Sequence, residues 1–271
     1  MDSALLLAFA VTLGAGLATG IGSAIAFFAK TTNKGFFALS IGFSAGVMIY
    51  LSFVEILPKA TSYLSEYFTQ VEAAAYAAAA LVGGLILMAV IDALVPSGAN
   101  PHENTQVELM GQKPENQAQN KALLRMGVFV ALAIAIHNFP EGLATFLLVL
   151  DDPQIGIALA IAVAMHNIPE GIAVSVPVYY ATGSKLKAFR LSFLSGLAEP
   201  AGAVIGYLIL AQFLNHLVLG VIFAMVAGVM IFLAIDTLLP TARNSARGHL
   251  TVYGVIAGMA VMAASLVLLR V

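Results

Sequence analysis

The sequence predicts an all-α, polytopic membrane protein with eight transmembrane helices in a three-plus-two-plus-three inverted-repeat arrangement. Three observations lead to this fold class. Hydrophobic residues make up 61% of the 271 residues and charged residues only 10%, whereas soluble domains carry about 25% charged residues. Several segments are long and apolar enough to cross a bilayer, and stretches early and late in the chain resemble one another. We therefore expect one transmembrane domain over residues 1–271.

The composition also excludes several classes of protein. The net charge is −2, so the chain offers no basic surface for nucleic acid. It contains no cysteine, which excludes disulfides, thiolate metal sites and thiol catalysis. The N-terminal stretch MDSALLLAFAV has no basic residue before its apolar run. We therefore interpret it as the start of the first span and not as a cleaved signal peptide.

Eight segments have the length of a transmembrane helix, which needs about 20 mostly apolar residues. They cover roughly residues 4–28, 36–57, 73–95, 123–149, 155–180, 191–213, 217–239 and 251–269. Residues 96–122 separate the third and fourth spans and are polar and rich in Pro, Asn and Gln. We expect this segment to be a mobile cytoplasmic loop.

The positions of Lys and Arg predict the orientation of the chain. Ten of the twelve basic residues lie in or beside the loops after spans one, three, five and seven. Only Lys59 and Arg270 lie on the other side, and Asp151 and Asp152 mark the loop between spans four and five as external. Basic residues favour the cytoplasmic side. We therefore expect a multi-pass protein of the cell (inner) membrane, embedded in the lipid bilayer with both termini external or periplasmic.

Two pairs of similar stretches indicate the inverted repeat. AGVMIYLSFVEILPKA at 45–60 and AGVMIFLAIDTLLPTA at 227–242 are identical at nine of sixteen positions. GLATGIGS at 16–23 in span one likewise resembles GLAEPAGA at 196–203 in span six. The matching spans are five apart, and an odd offset reverses the direction through the membrane. Inverted repeats are common in secondary transporters, whose sites lie near the bilayer midplane on helices interrupted by Gly or Pro.

Acidic residues within the predicted spans are costly, because a charge at the bilayer centre costs at least about 2.5–3.5 kcal/mol. Three of them, Glu55, Asp92 and Asp236, lie three or four residues before a proline near a span end. Both a structural role, in capping nearby backbone, and a functional role, in lining a path, remain open for these three. With Met48, they form the set of candidate pathway residues.

Further polar residues within the spans form twin motifs, HNFPEG at 137–142 and HNIPEG at 166–171. Each motif lies near the middle of its span. In each motif the His and the Glu are four residues apart and share one helix face. Two antiparallel helices that face each other would bring these side chains together, and Glu199 in the next span could complete the cluster. The candidate metal ligands are His137, Asn138, Glu141, His166, Asn167, Glu170 and Glu199.

Proline and glycine within the twin motifs predict special helix geometry. Pro140 and Pro169 lack an N–H group and crowd the preceding turn, so each helix should kink beside its His and free a carbonyl. Gly142 and Gly171 should permit close approach of neighbouring helices.

The ligand types predict the kind of ion. Imidazole and carboxylate without thiolate suit divalent Zn, Fe, Mn, Co or Cd, whereas Mg and Ca prefer shells made only of oxygen. Two Glu and two His side chains would match the charge of one divalent ion. Asn138, Asn167 and Glu199 could hold a second ion, with Glu141 and Glu170 bridging the two.

The twin motifs, GLAEPAGAVIG at 196–206 and the ATGSK turn at 181–185 resemble the ZIP family of divalent-metal transporters, and most closely its bacterial ZupT-like branch. The resemblance covers nearly the whole chain. It implies an importer that carries Zn²⁺, with Fe²⁺, Mn²⁺, Co²⁺ and Cd²⁺ as further substrates. It also implies a homodimer and an elevator-like motion of spans one, four, five and six against the other four.

The resemblance further implies a binuclear site. One ion would be held by His137, Glu141, His166 and Glu170, and the other by Asn138, Asn167 and Glu199 with both motif glutamates bridging. Some members of the family carry Asp where this chain has Asn167, which lowers the charge of the second ion site.

Two other functions compete with a transporter. A membrane-embedded metalloenzyme could use Glu as a base beside a metal, but the chain has no HExxH pattern and the inverted repeat would serve no purpose in it. A metal-permeable channel is the third hypothesis, and large single-channel currents would distinguish it. We expect a transporter and no enzymatic activity.

Overall fold

A computed structural model of the protein describes residues 3–28, 34–94, 117–245 and 248–269. We number the spans α1 to α8. Helix α1 is Ser3–Phe28, α3 is Gln70–Leu94, α4 is Gln117–Asp151, α5 is Pro153–Thr182 and α8 is Leu250–Leu269. Helix α2 combines Lys34–Leu51, Ser52–Ile56 and Leu57–Leu64; α6 combines Lys185–Gly196 and Ala198–Leu210; α7 combines His216–Phe232, Leu233–Leu238 and Leu239–Ser245.

The predicted all-α class with eight spans is confirmed. Within the described ranges, eight helices are long and apolar enough to cross a membrane, and no β-strand is present. Most of the predicted 96–122 loop, residues 96–116, lies outside the described residues, and α4 begins at Gln117.

The sequence placed the ends of spans two and seven too early. Span two was expected to end at 57 and span seven at 239, each before a proline, but both helices continue past Pro58 and Pro240. A π-helical turn precedes each proline, in which Leu57 N–H bonds Ser52 O and Leu239 N–H bonds Ala234 O. The wider turn accommodates the missing proline N–H without ending the helix. The turns occupy matching places in the two repeats.

The helices pack as two groups. Helices α1, α4, α5 and α6, which we call the motif group, pack closely on one another. Helices α2, α3, α7 and α8, which we call the flanking group, do the same. The groups meet mainly where α5 lies against α2 and α8 and where α4 lies against α7. Each group therefore contains helices from both repeats. The equivalent helices α1 and α6 are in the motif group, and the equivalent helices α2 and α7 are in the flanking group.

Glycines allow backbone contact within each group. In the motif group a Cβ on Gly22 would overlap the carbonyl of Ile168, and in the flanking group a Cβ on Gly46 would overlap that of Val255. Among the described glycines, every one whose Cβ would overlap another helix faces a helix of its own group. Contacts between the groups instead involve side chains such as Val47, which shares a cavity wall with α5 and α8.

Polar contacts join the two groups at one end of the molecule. Lys59 Nζ of α2 lies 2.7 Å from Asp151 Oδ2 and 3.3 Å from Asp152 Oδ2, at the junction of α4 and α5. The Tyr63 hydroxyl donates to Asp151, and the Tyr63 ring stacks on His216 of α7 with ring centroids 4.5 Å apart. These contacts hold the tip of α4 and α5 against the flanking group.

Candidate metal centre

The twin motifs lie on neighbouring antiparallel helices of the motif group. HNFPEG is part of α4 and HNIPEG is part of α5, and both helices run through their motif prolines as single α-helical segments. The expected kinks at Pro140 and Pro169 remain predictions. All six His, Asn and Glu side chains of the motifs are buried, which places the polar cluster in the interior of the helix bundle.

The His and Glu side chains form crossed pairs between the helices. His137 Nε2 of α4 lies 3.0 Å from Glu170 Oε1 of α5, and His166 Nε2 of α5 lies 3.1 Å from Glu141 Oε2 of α4. Each histidine therefore bonds the glutamate of the other motif, although it shares a helix face with its own. Exchanging the two motifs converts one pair into the other, so the cluster has approximate two-fold symmetry.

The asparagines are anchored by the two helices that flank the motifs. Asn167 Nδ2 donates to Ala15 O of α1 at 2.9 Å, and Asn138 Nδ2 donates to Ser195 O of α6 at 3.4 Å. Because a carbonyl must accept from the amide NH₂ group, these bonds set which side of each amide faces the carbonyl. Each Oδ1 atom is consequently left for another partner.

Glu199 joins the cluster from α6, where the helix is interrupted. The segment Lys185–Gly196 ends before Leu197, and Ala198–Leu210 follows it, so Glu199 lies in the first turn of a new helical segment. Its Oε1 accepts a hydrogen bond from Asn167 Nδ2, and its side chain is fully buried. The first turn of a helix favours a carboxylate, since unpaired N–H groups point toward it.

Several polar atoms of this cluster lack a partner. Among the described residues, the buried atoms without a hydrogen bond include Asn138 Oδ1, Glu141 Oε1, His166 Nδ1, Asn167 Oδ1, Glu170 Oε2 and Glu199 Oε2. Buried polar atoms are nearly always hydrogen-bonded, so these atoms are positions for a bound ion or for water. Five are oxygens and one is an imidazole nitrogen, which are donor atoms suited to a divalent transition metal ion.

The crossed pairs occupy some of the ligand atoms. In the part of the chain that the structure describes, no group of three or more His, Asp or Glu side chains is arranged to hold an ion as it stands. Both Nε2 atoms face a carboxylate at hydrogen-bond distance. An ion bound by both Nε2 atoms would therefore have to separate each His from its Glu.

A cavity of about 80 Å³ connects part of this cluster with one end of the bundle. His137, His166 and Glu170 line it, together with Asp92 near the end of α3 and Thr241 near the end of α7. It lies between the two groups of helices and has room for several water molecules. The Lys59–Asp151 contact lies at the opposite end of the bundle.

The structure separates the candidate pathway residues from one another. Asp92 lines the cavity beside the twin motifs. Glu55 is buried in the π turn of α2, and Asp236 lies in that of α7. Met48 is buried in the core. Within the described residues, the lining of this cavity does not include Met48, Glu55 or Asp236, so a pathway role for them stays a prediction.

Sequence reasoning missed three features of the site. These are the crossed pairing, the interruption of α6, and the carbonyls of Ala15 and Ser195 that hold the asparagines. Pro200 was a signal for the interruption, since proline favours the first turn of a helix. The repeat also relates Ala15 to Ser195, because GLATGIGS and GLAEPAGA begin one residue after them.

Comparison with known proteins identifies the family of the chain. The profile of the family described as ZIP Zinc transporter matches residues 96–266. A zinc transporter ZupT of Oceanobacillus iheyensis is 58% identical over 269 residues, covering 99% of this chain and 100% of the relative. Zinc transporters ZupT of Lysinibacillus sphaericus and Streptococcus mutans are 55% and 54% identical, over 99% of this chain and 100% and 99% of the relatives.

The matches with the relatives extend over almost all of the chain, and the family profile covers both twin motifs. They confirm the resemblance that the motifs indicated. The chain belongs to the ZIP family of transporters, in its ZupT-like branch.

Proposed function

We propose that the protein imports divalent transition metal ions, chiefly zinc, into the cytoplasm through the buried cluster on α4, α5 and α6. The observation that carries this proposal is the pair of crossed His–Glu contacts, His137–Glu170 and His166–Glu141, at the inner end of a cavity. Imidazole and carboxylate are ligands of zinc, and the relatives are named as zinc transporters.

We propose two ion positions in the cluster. His137, Glu141, His166 and Glu170 would hold the first ion after each His separates from its partner. Asn138, Asn167 and Glu199 would hold the second, with Glu141 and Glu170 bridging. The buried unpartnered oxygens of the two amides and of Glu199 support the second position.

The ligand set also supports ions besides zinc. Imidazole accommodates zinc, iron and related metals, whereas carboxylate and amide oxygens accommodate manganese. We therefore propose Fe²⁺, Mn²⁺, Co²⁺ and Cd²⁺ as further substrates. The absence of cysteine from the chain means that no thiolate adds a preference for softer ions.

Ion release would require the two groups of helices to move against each other. Close backbone contacts hold each group together, and side chains separate the groups, which supports an elevator-like motion of α1, α4, α5 and α6. We assign the end with the cavity to the cytoplasm, because basic residues favour that side. Both termini would then be external or periplasmic, in the inner membrane of the cell.

The two ends of the bundle differ in access to the cluster, and this difference favours a carrier over a channel. The cavity reaches the cluster from the Asp92 end, while Lys59, Tyr63 and Asp151 are bonded together at the other end. A site reached from one side at a time is the requirement of alternating access. Uptake should accordingly saturate with metal concentration and show no single-channel currents.

We also propose that the protein is a homodimer. Helix α3 carries exposed apolar side chains along its length, including Val71, Tyr76, Val82, Ile86 and Val90. In a bilayer such a surface contacts lipid or a second copy of the chain. Mass measurement of the purified protein in detergent and in nanodiscs tests the dimer.

The assigned site is tested by zinc uptake into proteoliposomes that contain the wild type or His137→Ala. We expect uptake to fall by at least about tenfold, because the buried Glu170 loses its partner and the ion loses a ligand. His249→Ala serves as control, since His249 is exposed at the start of α8 and its ring contacts Tyr253 outside the cluster. Equal uptake by wild type and His137→Ala would disprove the assigned site.

A further inference from the structure

Thr19 is the counterpart of Glu199 in the inverted repeat. Alignment of GLATGIGS at 16–23 with GLAEPAGA at 196–203 places the two residues at the same position. One repeat therefore has a neutral hydroxyl where the other has a carboxylate. The established family membership and the ligand sets above do not use Thr19.

Backbone contacts show that this correspondence holds in three dimensions. A Cβ on Gly171 of α5 would overlap the carbonyl of Thr19, and a Cβ on Gly142 of α4 would overlap the carbonyl of Glu199. Gly142 and Gly171 are themselves equivalent residues of the twin motifs. Thr19 and Glu199 thus take equivalent positions beside the two motif helices.

The asparagines extend the correspondence to the polar groups. Asn167 bonds Ala15 O of α1 and also donates to Glu199 of α6. Asn138 bonds Ser195 O of α6, which is the equivalent of Ala15 O. The symmetry between the two repeats therefore places Thr19 beside Asn138, in the way that Glu199 lies beside Asn167.

The Thr19 hydroxyl is buried and makes no hydrogen bond within the described residues. The side chain is fully buried, and within the described residues Thr19 Oγ1 makes no hydrogen bond, as is also true of Asn138 Oδ1. Thr19 Oγ1 faces Gly196, where an added Cβ would lie 2.8 Å from it. Asn138 reaches the carbonyl of the preceding residue, Ser195. Both side chains therefore contact the same turn of α6.

We propose that Thr19 is a specificity-determining residue of the metal centre. Its hydroxyl and the Asn138 amide oxygen form a neutral oxygen subsite for a divalent cation, opposite the acidic subsite of Asn167 and Glu199. This inference rests on the proposed function of the twin motifs. Because Thr19 stands where a second copy of Glu199 would stand, the cluster has three carboxylates and not four. Its neutral oxygen ligands supplement the two imidazoles.

The subsite should affect metals unequally. Neutral oxygen ligands contribute more to the binding of Mn²⁺, which prefers oxygen, than to that of Zn²⁺, for which imidazole is a good ligand. Loss of the Thr19 hydroxyl should therefore change the ratio of the two affinities. A purely structural role in helix packing would weaken both metals equally.

The experiment measures Zn²⁺ and Mn²⁺ binding to the purified full chain by titration calorimetry for the wild type, Thr19→Val and Thr19→Ser. Valine has the shape of threonine without its hydroxyl. We expect Thr19→Val to weaken Mn²⁺ binding about fivefold and Zn²⁺ binding less than twofold, which is the effect of losing one polar contact. Thr19→Ser should retain the wild-type ratio.

Thr12→Val is the matched control. Thr12 is on the same helix and is fully buried, and its Oγ1 likewise makes no hydrogen bond among the described residues. It lies seven residues away, about 10 Å along the helix axis. This variant should leave both affinities unchanged, and thermal unfolding of all variants reports whether packing is intact.

The outcomes separate this inference from the proposed function. Wild-type protein that fails to bind Zn²⁺ would disprove the proposed function itself. Wild-type protein that binds Zn²⁺ while Thr19→Val keeps the wild-type affinity ratio would overturn only the role of Thr19. Wild-type Mn²⁺ binding too weak to measure would also overturn it, because a neutral oxygen subsite should hold that ion.

Discussion

Lys59 Nζ lies 2.7 Å from Asp151 Oδ2, in a contact that joins the flanking group to the motif group at the end of the bundle away from the cavity. The two side chains are only 15% and 16% exposed, so solvent screens the pair less than it screens a surface pair. Any relative motion of the two groups must break this contact. It therefore stabilises the conformation that the structure shows.

Replacement of Lys59 by Ala should favour the opposite conformation. The pair is worth on the order of 1 kcal/mol, or roughly a fivefold change in the populations of the two conformations. Since the chain has no cysteine, a single Thr145→Cys substitution can report access. Thr145 is buried one turn beyond Glu141, toward Asp151. Labelling by a membrane-impermeant maleimide should rise roughly fivefold in Lys59→Ala.

Glu66→Gln is the control for this measurement. Glu66 pairs with His216 at 2.7 Å, and this contact joins the end of α2 to α7 within the flanking group. Its loss should leave labelling at the wild-type level. Unchanged labelling in Lys59→Ala would show that the contact does not govern access.

The crossed pairing should be visible in the stability of the metal-free protein. Removing only one partner leaves a buried group unpaired, whereas removing both avoids that cost. We expect His137→Ala and Glu170→Ala to be non-additive, with a coupling of roughly 0.5–3 kcal/mol. The measurement is thermal unfolding of the two single variants and the double variant in excess chelator.

His137 and Glu141 supply the comparison, since they share a face of α4 but bond different partners. Their variants should couple less strongly than those of His137 and Glu170. The reverse order would mean that each histidine pairs within its own motif.

Glu199→Gln should remove the second ion and retain the first. Glu199 is the only carboxylate proposed for the second position that does not also serve the first. Bound zinc, measured by elemental analysis after equilibrium dialysis, should fall from two ions to one per chain. Glu72→Gln, which changes an exposed carboxylate bonded to Thr69, should leave the number unchanged. A wild type with a single ion would contradict the binuclear proposal.

Close helix contact within the motif group can be tested at two glycines of α1. A Cβ on Gly22 would overlap the Ile168 carbonyl, whereas one on Gly14 would meet nothing within 4 Å. Gly22→Ala should cost on the order of 1–3 kcal/mol of stability through overpacking. Gly14→Ala should be neutral or slightly stabilising, because alanine favours the helix. Thermal unfolding in detergent compares them, and equal midpoints would contradict the packing.

The sequence by itself determined the spans, the inverted repeat and the identity of the polar cluster. The physical reason is that a bilayer requires long apolar helices and penalises every buried charge, so His137, Glu141, His166 and Glu170 stand out against their surroundings. Helix periodicity then indicated which of them share a face of one helix.

The tertiary structure decided how these side chains pair and what surrounds them. Sequence spacing places His137 beside Glu141 on one helix, but the packing of α4 against α5 brings His137 to Glu170 instead. The ends of α2 and α7 also depended on local backbone geometry, because a π turn allows a helix to continue through a proline. The pairing depends on the distance between two helices and the helix ends on local backbone geometry, and the order of residues along the chain specifies neither.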